Sequence, residues 1–142
     1  MRITDLLSKK GIDLNGKPGT KQETIDQVTN LMNATGNLSD KEAYKKAVEK
    51  REEEGTTGIG EGIAIPHAKT DAVNAPGLAA MVIPAGVDYD ALDGQPVDLV
   101  FLIAAPNTED NVHLEVLSRL SMLLMDESFK QNLLKAKTVE EF

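Results

Sequence analysis

Two near-continuous apolar runs constrain the fold of this chain most strongly. They span Leu78 to Ile83 and Val97 to Ala104. A strand with one face in water alternates apolar and polar residues, whereas a strand covered on both faces does not. We therefore predict that the second run, V-D-L-V-F-L-I-A, forms a central strand buried on both faces, and that Pro106 ends it.

Capping-box motifs predict two helices ahead of these runs. Thr20-Lys21-Gln22-Glu23 precedes an apolar stripe at helical spacing, and Gly36 is expected to end that helix. Ser39-Asp40-Lys41-Glu42 opens a second helix. A long amphipathic helix is expected from about Asp110, followed by a shorter one that carries Phe129, Leu133 and Leu134. Strands interleaved with helices favour an α/β domain in which helices cover a sheet.

A glycine-rich stretch, Gly55 to Gly62, follows the second helix. It contains four glycines, so we predict a loop with unusual backbone angles. Ile63 to Ile65 is a short apolar segment that Pro66 must terminate or confine to a sheet edge. The stretch lacks a Walker ending and precedes a strand instead of joining a strand to a helix, so it is weak evidence for nucleotide binding.

Length and composition exclude several classes of protein. The 142 residues suit one compact domain. The absence of cysteine rules out disulfides, thiol catalysis and cysteine zinc sites. Two histidines and scattered carboxylates show no metal-ligand spacing, so we expect neither a metal nor a cofactor. Residue order alone leaves a Ser-His-Asp triad open, but no G-x-S-x-G elbow is present.

Location is indicated by the start of the chain and by its hydropathy. Met1-Arg2-Ile3-Thr4-Asp5 turns polar at once, and no apolar run has membrane-spanning length. We predict no signal peptide, no direct membrane insertion and a cytoplasmic location.

The net charge of −8 is unevenly distributed. Residues 1–55 hold ten acidic and ten basic side chains, whereas residues 56–142 hold thirteen acidic and five basic ones. A nucleic-acid partner is disfavoured, because a phosphate backbone needs a basic face. A protein partner with a basic face is favoured, although acidity that merely keeps the domain soluble would give the same count.

The two histidines, His67 and His113, are the side chains that normally titrate near neutral pH. His67 follows the rigid Pro66 and lies beyond the glycine-rich stretch, where backbone N–H groups can approach an anion. Neutral imidazole has a nucleophilic lone pair and forms covalent intermediates, so His67 is a candidate phosphoryl acceptor. The competing interpretation is a surface or capping histidine.

His113 lies near the start of the predicted long helix, one position away from its apolar stripe. It could donate a hydrogen bond to a phosphoryl oxygen, helped by the helix N-terminus. From its position alone, the favoured interpretation is a polar residue at a helix start.

Four blocks of the sequence carry a family resemblance: K-R-E-E-E-G-T-T-G-I-G-E-G-I-A-I-P-H-A-K-T (50–70), G-V-D-Y-D-A-L-D-G-Q-P-V (86–97), F-L-I-A-A-P (101–106) and H-L-E-V-L-S-R-L-S (113–121). With these blocks the chain resembles, over nearly its whole length, the enzyme IIA domain of the fructose–mannitol class (type 2) of the bacterial phosphoenolpyruvate-dependent sugar phosphotransferase system. The block at 86–97 is more similar to the fructose branch.

The resemblance implies one α/β domain over residues 1–142, with a mixed five-stranded sheet between helices. It implies a phosphotransferase in which His67 is the phosphorylated catalytic residue, with His113 and Arg51 stabilising the phosphoryl group. The donor would be phosphorylated HPr, a small histidine phosphocarrier. The acceptor would be a cysteine of the IIB domain, from which the sugar is phosphorylated during uptake by the membrane component IIC.

Two alternative functions stay open, and so does the question of whether the domain is part of a longer protein. A regulatory IIA-like module, nitrogen-related or attached to a regulator, would use the same phosphohistidine as a switch. A scaffold that binds partners without phosphoryl chemistry is disfavoured by the I-P-H block. Thr138-Val139-Glu140-Glu141 resembles a further capping box at the end of the chain, so we expect that the domain could be part of a longer, multidomain protein.

Overall fold

The computed structural model describes residues 7–60, 62–106, 118, 122–124, 126 and 131–134. The strands in this part of the chain are β1 (Leu7–Asp13), β2 (Gly58–Gly60), β3 (Ile63–Ala64), β4 (His67–Thr70), β5 (Gly77–Val87) and β6 (Val97–Pro106). The helices α1 (Lys21–Ala34) and α2 (Lys41–Glu54) lie between β1 and β2 in the sequence.

Strand β6 is the central strand of the sheet. It pairs antiparallel with β5 on one side and parallel with both β3 and β4 on the other. Ile63 lies opposite Leu99 and His67 lies opposite Ile103, which is the same offset along the sequence. Strands β3 and β4 therefore occupy one position, interrupted before His67 at Pro66. Counted in this way, the sheet has the order β1-β5-β6-β3/β4-β2, which confirms the expected mixed five-stranded sheet.

The side chains of β6 are buried on both faces of the sheet. Val100, Leu102 and Ala104 pack in a core with residues of α1 and α2. Leu99, Phe101 and Ile103 point the other way, as the strand period of two requires, into a core with Leu124 and Leu133. Residues 122–124 and 131–134 are helical, so helices cover both faces. The predicted doubly buried strand is confirmed, and Pro106 is its last residue.

Helix α1 begins and ends where the sequence predicts. The Thr20 hydroxyl accepts a hydrogen bond from the Glu23 backbone N–H at 3.1 Å. The Glu23 carboxylate reaches back to the Gly19 N–H at 2.7 Å instead of to Thr20, so only one half of the capping box forms as expected. Gly36 follows the helix with a φ of +82°, a left-handed conformation that suits glycine.

Helix α2 begins one residue later than the predicted capping box. Its N-cap is Asp40, whose carboxylate accepts from the Ala43 N–H at 3.1 Å. The backbone N–H of Ser39 donates to the Ala72 carbonyl at 2.8 Å, beside a bridge between Leu38 and Val73. Ser39 is therefore held in an extended connection, and the prediction that it caps the helix was wrong.

Three strands, β1, β2 and β4, form where none is predicted from the sequence. Strand β1 contains two lysines and a glycine, so it has no apolar run, and it pairs with β5 through the backbone. Strand β2 forms inside the glycine-rich stretch and pairs with β3, so the prediction of a pure loop there was wrong. The unusual backbone angles are confirmed, since φ is positive at Gly55, Gly60 and Gly62.

Several predicted features lie outside the described residues. These are most of the helix expected from Asp110, the position of Phe129 and the capping box at Thr138. Within the described part of the chain, no helix is both long enough and apolar enough to cross a membrane.

A buried tyrosine fastens α2 to the sheet. Tyr44 is fully buried, and its hydroxyl donates to the backbone carbonyl of Ile103 at 2.7 Å. Burial raises the pKa of this hydroxyl well above its ordinary value, so it remains a proton donor at neutral pH. Because Ile103 lies opposite His67, this bond holds α2 against the part of the sheet where β4 begins.

Deleting this hydroxyl should destabilise the fold. We expect Tyr44→Phe to lower the free energy of unfolding by about 1–2 kcal/mol, because it removes a buried hydrogen bond. Thr29→Val is the matched control, since no described group hydrogen-bonds to the buried Thr29 hydroxyl. The control should change stability by less than about 0.5 kcal/mol or increase it. Urea unfolding measures both, and equal losses would contradict the role given to the Tyr44 hydroxyl.

Candidate functional site

His67 is the first residue of β4 and is held by a backbone carbonyl. Its Nδ1 lies 2.9 Å from the carbonyl oxygen of Ile65. A carbonyl oxygen only accepts, so Nδ1 must donate its hydrogen, and the lone pair of the neutral ring then lies on Nε2. The side chain is half-buried. His67 is thus fixed in the tautomer that makes Nε2 the nucleophilic atom.

Pro66 lies between Ile65 and His67 and ties this part of the chain to the central strand. Proline has no N–H, so it interrupts the ladder between β3 and β4. Its own carbonyl accepts a hydrogen bond from the Ile103 N–H at 3.0 Å, which ties the interruption to the central strand. The Ile65 carbonyl accepts from the imidazole on a backbone held on both sides, through the Ile65 N–H to Thr57 and through the Pro66 carbonyl to Ile103.

Arg51 lies in the last turn of α2. Its Nη1 donates to the carbonyl of Gly55 at 2.8 Å, just beyond the end of the helix. Gly55 has a φ of +156°, a conformation that a side chain would strain, and this turns the chain back toward the guanidinium.

An open pocket of about 470 Å³ brings His67 and Arg51 together. It lies between α2 and β4 and is lined by Ala47, Lys50, Arg51, Glu54, His67, Ala68, Lys69 and Thr70. The lining has three cationic side chains and one acidic side chain, so it favours an anion beside the imidazole. Of the three predicted site residues, the structure places His67 and Arg51 at one pocket, while His113 lies outside the described residues.

Lys50 and Lys69 also line this pocket, although the sequence does not predict either as a site residue. Lys69 follows His67 by two positions on β4, so both side chains leave the strand on the same face. Assigning β4 as a strand would have found Lys69. Lys50 stands in the sequence only as the first residue of the family block at 50–70, and its place beside β4 depends on tertiary packing.

The side chain of Glu52, the residue that follows Arg51, carries a carboxylate with little exposure to solvent. Burial raises the pKa of Glu52, but hydrogen bonds from Thr57, Lys21 and Tyr89 outweigh it, so the pKa lies below its ordinary value. Burial, together with the nearby Glu52 charge, raises the pKa of the Tyr89 hydroxyl. At neutral pH Glu52 is therefore ionised and Tyr89 keeps its proton.

No group of three or more histidine, aspartate or glutamate side chains is arranged to hold a metal ion within the described residues. The geometry of the site is that of a nucleophilic nitrogen beside a cationic pocket.

A comparison with known protein families shows to which family this chain belongs. Residues 5–142 match the family model for the phosphoenolpyruvate-dependent sugar phosphotransferase system, EIIA 2. The chain belongs to this EIIA family. The family resemblance found in the sequence is thereby confirmed.

Two relatives of this IIA-family chain carry fructose-specific names. The PTS system fructose-specific EIIABC component of Bacillus subtilis (strain 168) is 50% identical over 138 residues, which are 97% of this chain and 22% of that protein. The PTS system fructose-specific EIIA component of Haloferax volcanii is 42% identical over 127 residues, 89% of this chain and 82% of that protein. The chain thus spans about a fifth of the first relative and most of the second.

Solved structures share the fold of this IIA-family chain. The nitrogen regulatory protein IIA-Ntr from Neisseria meningitidis superposes with a TM-score of 0.89 at 30% identity, covering 98% of this chain and 94% of that one. Enzyme IIA for mannitol from Escherichia coli, solved in complex with phosphorylated enzyme IIB, gives a TM-score of 0.81 at 30% identity, covering 96% and 94%.

The geometry predicts a single tautomer for His67. In the neutral protein, long-range ¹⁵N NMR should show a protonated Nδ1 and an unprotonated Nε2. Because the chain has two histidines, a His113→Gln variant assigns the signals. A neutral ring protonated mainly on Nε2 would contradict the hydrogen bond to Ile65.

Proposed function

We propose that this chain is a phosphoryl carrier of a sugar phosphotransferase system, and that Nε2 of His67 carries the phosphoryl group. The observation that carries the proposal is the bond from Nδ1 to the Ile65 carbonyl, since it directs the lone pair to Nε2 beside a cationic pocket. Membership of the EIIA family supports phosphoryl transfer as the reaction class.

In the first step the donor is phosphorylated HPr. The Nε2 lone pair attacks phosphorus, the bond between phosphorus and the donor histidine nitrogen breaks, and its electron pair returns to that nitrogen. No proton has to move at Nε2 when the ring enters as the Nδ1–H tautomer. Such a transfer depends on alignment and on stabilisation of the phosphoryl oxygens.

In the second step the acceptor is a cysteine of a IIB domain. Its thiolate attacks phosphorus, the phosphorus–Nε2 bond breaks, and His67 returns to its starting state. The IIC membrane component is reached only through IIB. The solved complex of the related mannitol IIA with phosphorylated IIB supports a IIB partner.

Arg51 and His113 are proposed to stabilise the phosphoryl group. Arg51 is supported by its place at the pocket, where its fixed positive charge faces the same space as His67. The role of His113 rests on the family motif at 113–121.

The fructose-specific names of two relatives support a fructose system as the setting. We propose that residues 1–142 act as one IIA-type domain in that setting. Fusion to IIB and IIC, as the name of the Bacillus subtilis relative indicates for that protein, would place the IIA, IIB and IIC domains on one chain.

The decisive test is phosphorylation by phosphoenolpyruvate, enzyme I and HPr. The purified chain should gain one acid-labile phosphate, and His67→Ala should gain none, because the nucleophile is gone. Intact mass spectrometry measures the gain. His67→Ala must match the wild type in circular dichroism and urea unfolding, and continued labelling of the folded variant would overturn the assignment.

His113→Ala should separate the two steps. We expect His67 still to be phosphorylated in part, whereas onward transfer to IIB or the lifetime of the phosphohistidine should fall by about a hundredfold, as when one stabilising donor is removed. Quenched-flow transfer to a purified IIB domain measures the onward rate. Wild-type rates in both steps would refute the role proposed for His113.

A regulatory module is the second candidate function. It is favoured by the structural match to a nitrogen regulatory protein. Such a module would be phosphorylated by HPr in the same experiment but would pass the group to no IIB domain. Transfer to a fructose-type IIB would favour the carrier.

A further inference from the structure

A buried carboxylate joins three segments of the chain next to the site. Glu52 Oε2 accepts from the Thr57 N–H at 3.1 Å and pairs with Lys21 Nζ at 3.0 Å. Glu52 Oε1 accepts from the Tyr89 hydroxyl at 2.8 Å and also from the Thr57 hydroxyl. The Glu52 side chain is only 6% exposed. One carboxylate thus receives four donors from the start of α1, from the segment after α2 and from the segment after β5.

The partners of Glu52 are themselves held in place. Thr57 and Tyr89 are buried, and their hydroxyls lie 3.1 Å apart. Lys21 Nζ lies 4.8 Å from the centre of the Tyr89 ring, a cation–π distance. A Cβ at Gly58 would come within 2.8 Å of the Ala91 backbone, so the segment after β5 packs directly on β2.

A short series of hydrogen bonds connects Thr57 to the imidazole. The Thr57 carbonyl accepts from the Ile65 N–H at 3.0 Å. The carbonyl of the same residue, Ile65, accepts from Nδ1 of His67 at 2.9 Å. Thr57 therefore helps to hold Ile65 in place, and the carbonyl of Ile65 selects the tautomer and orientation of His67.

The same segment also receives the guanidinium. Arg51 Nη1 donates to the Gly55 carbonyl, two residues before Thr57. Arg51 and Glu52 are adjacent in the last turn of α2, and both bond to the segment 55–57 that follows it. Glu52 thus bonds, together with Arg51 itself, to the segment on which both site residues depend.

We propose that Glu52 is a positioning residue for phosphoryl transfer. Its carboxylate holds Thr57, and through the Thr57–Ile65–His67 hydrogen bonds it keeps Nε2 aligned, while the same segment fixes Arg51. Glu52 does not contact the phosphoryl group. This role rests on the proposed phosphoryl transfer for its kinetic consequence, but the link from Glu52 to the imidazole tautomer does not need a phosphoryl donor.

The main variant is Glu52→Gln, which keeps the shape and removes the charge. An amide NH₂ would face at least one of the four donors, so the network cannot remain complete. Single-turnover transfer from phosphorylated HPr should show a maximal rate lowered by up to about a hundredfold, the scale expected for a nucleophile displaced by about 1 Å, with the half-saturating HPr concentration within about twofold of wild type. Glu53→Gln, at the exposed neighbouring position, is the matched control and should change neither value.

Threonine variants test the same link by a second route. Thr57→Val removes the hydroxyl and should lower the maximal rate in the same direction, whereas Thr57→Ser keeps the hydroxyl and should restore it. In the double variant, Thr57→Val should add little to Glu52→Gln, because the two groups act through one bond. If Glu52→Gln does not fold, as judged by urea unfolding, the threonine pair decides the question.

The ¹⁵N spectrum of unphosphorylated His67 separates this proposal from the proposed function. Glu52→Gln should give a mixture of imidazole tautomers where the wild type has Nδ1–H alone. A folded Glu52→Gln variant with an unchanged tautomer and an unchanged maximal rate would overturn the positioning role. A rise in the half-saturating concentration alone would overturn it as well, since that would mean docking. A wild-type chain that HPr does not phosphorylate would sink the proposed function and leave the tautomer test standing.

Discussion

The burial of β6 on both faces is the constraint on which the rest of this structure depends. Helices α1 and α2 cover one face of the strand, and Leu124 and Leu133 lie against the other. Because its backbone is paired on both sides and its side chains are packed on both faces, β6 provides a rigid reference for its neighbours. One residue of β6, Ile103, shows this: its carbonyl accepts from the Tyr44 hydroxyl, its N–H donates to the Pro66 carbonyl, and it lies opposite His67.

The candidate site lies at an interruption in the strand position next to β6, between the end of β3 and the start of β4. The sheet holds the chain before and after Pro66, and between these two pairings the Ile65 carbonyl accepts a hydrogen bond from the imidazole. The Glu52 carboxylate holds Thr57, whose carbonyl accepts from the N–H of the same residue, Ile65. Two buried networks, one from the sheet and one from the end of α2, thus converge on a single ring and determine which nitrogen is nucleophilic.

The parts of the fold that follow from local rules could be predicted from the sequence. The apolar run predicted that β6 is the central strand, and Thr20 predicted the start of α1. Strand β1 could not be predicted, because it pairs through its backbone and carries lysines where an apolar pattern would be. Ser39 was mistaken for a cap because a bond to Ala72, distant in sequence, fixes its conformation.

The candidate site divides in the same way. His67 could be selected from its motif, and Arg51 from the family resemblance. The place of Lys50 at the pocket and the hydrogen bonds to Glu52 depend on which segments the fold brings together. No spacing in the sequence predicts that the Tyr89 hydroxyl donates to Glu52.

The central claim is that the backbone at Ile65 makes Nε2 of His67 the phosphoryl-carrying atom. The most direct test is the ¹⁵N and ³¹P NMR spectrum of the ¹⁵N-histidine-labelled chain after phosphorylation by HPr. The account predicts one phosphohistidine at position 67, with phosphorus bonded to Nε2 and a proton on Nδ1. Phosphorus bonded to Nδ1 of His67, or phosphorylation of His113 in its place, would contradict it.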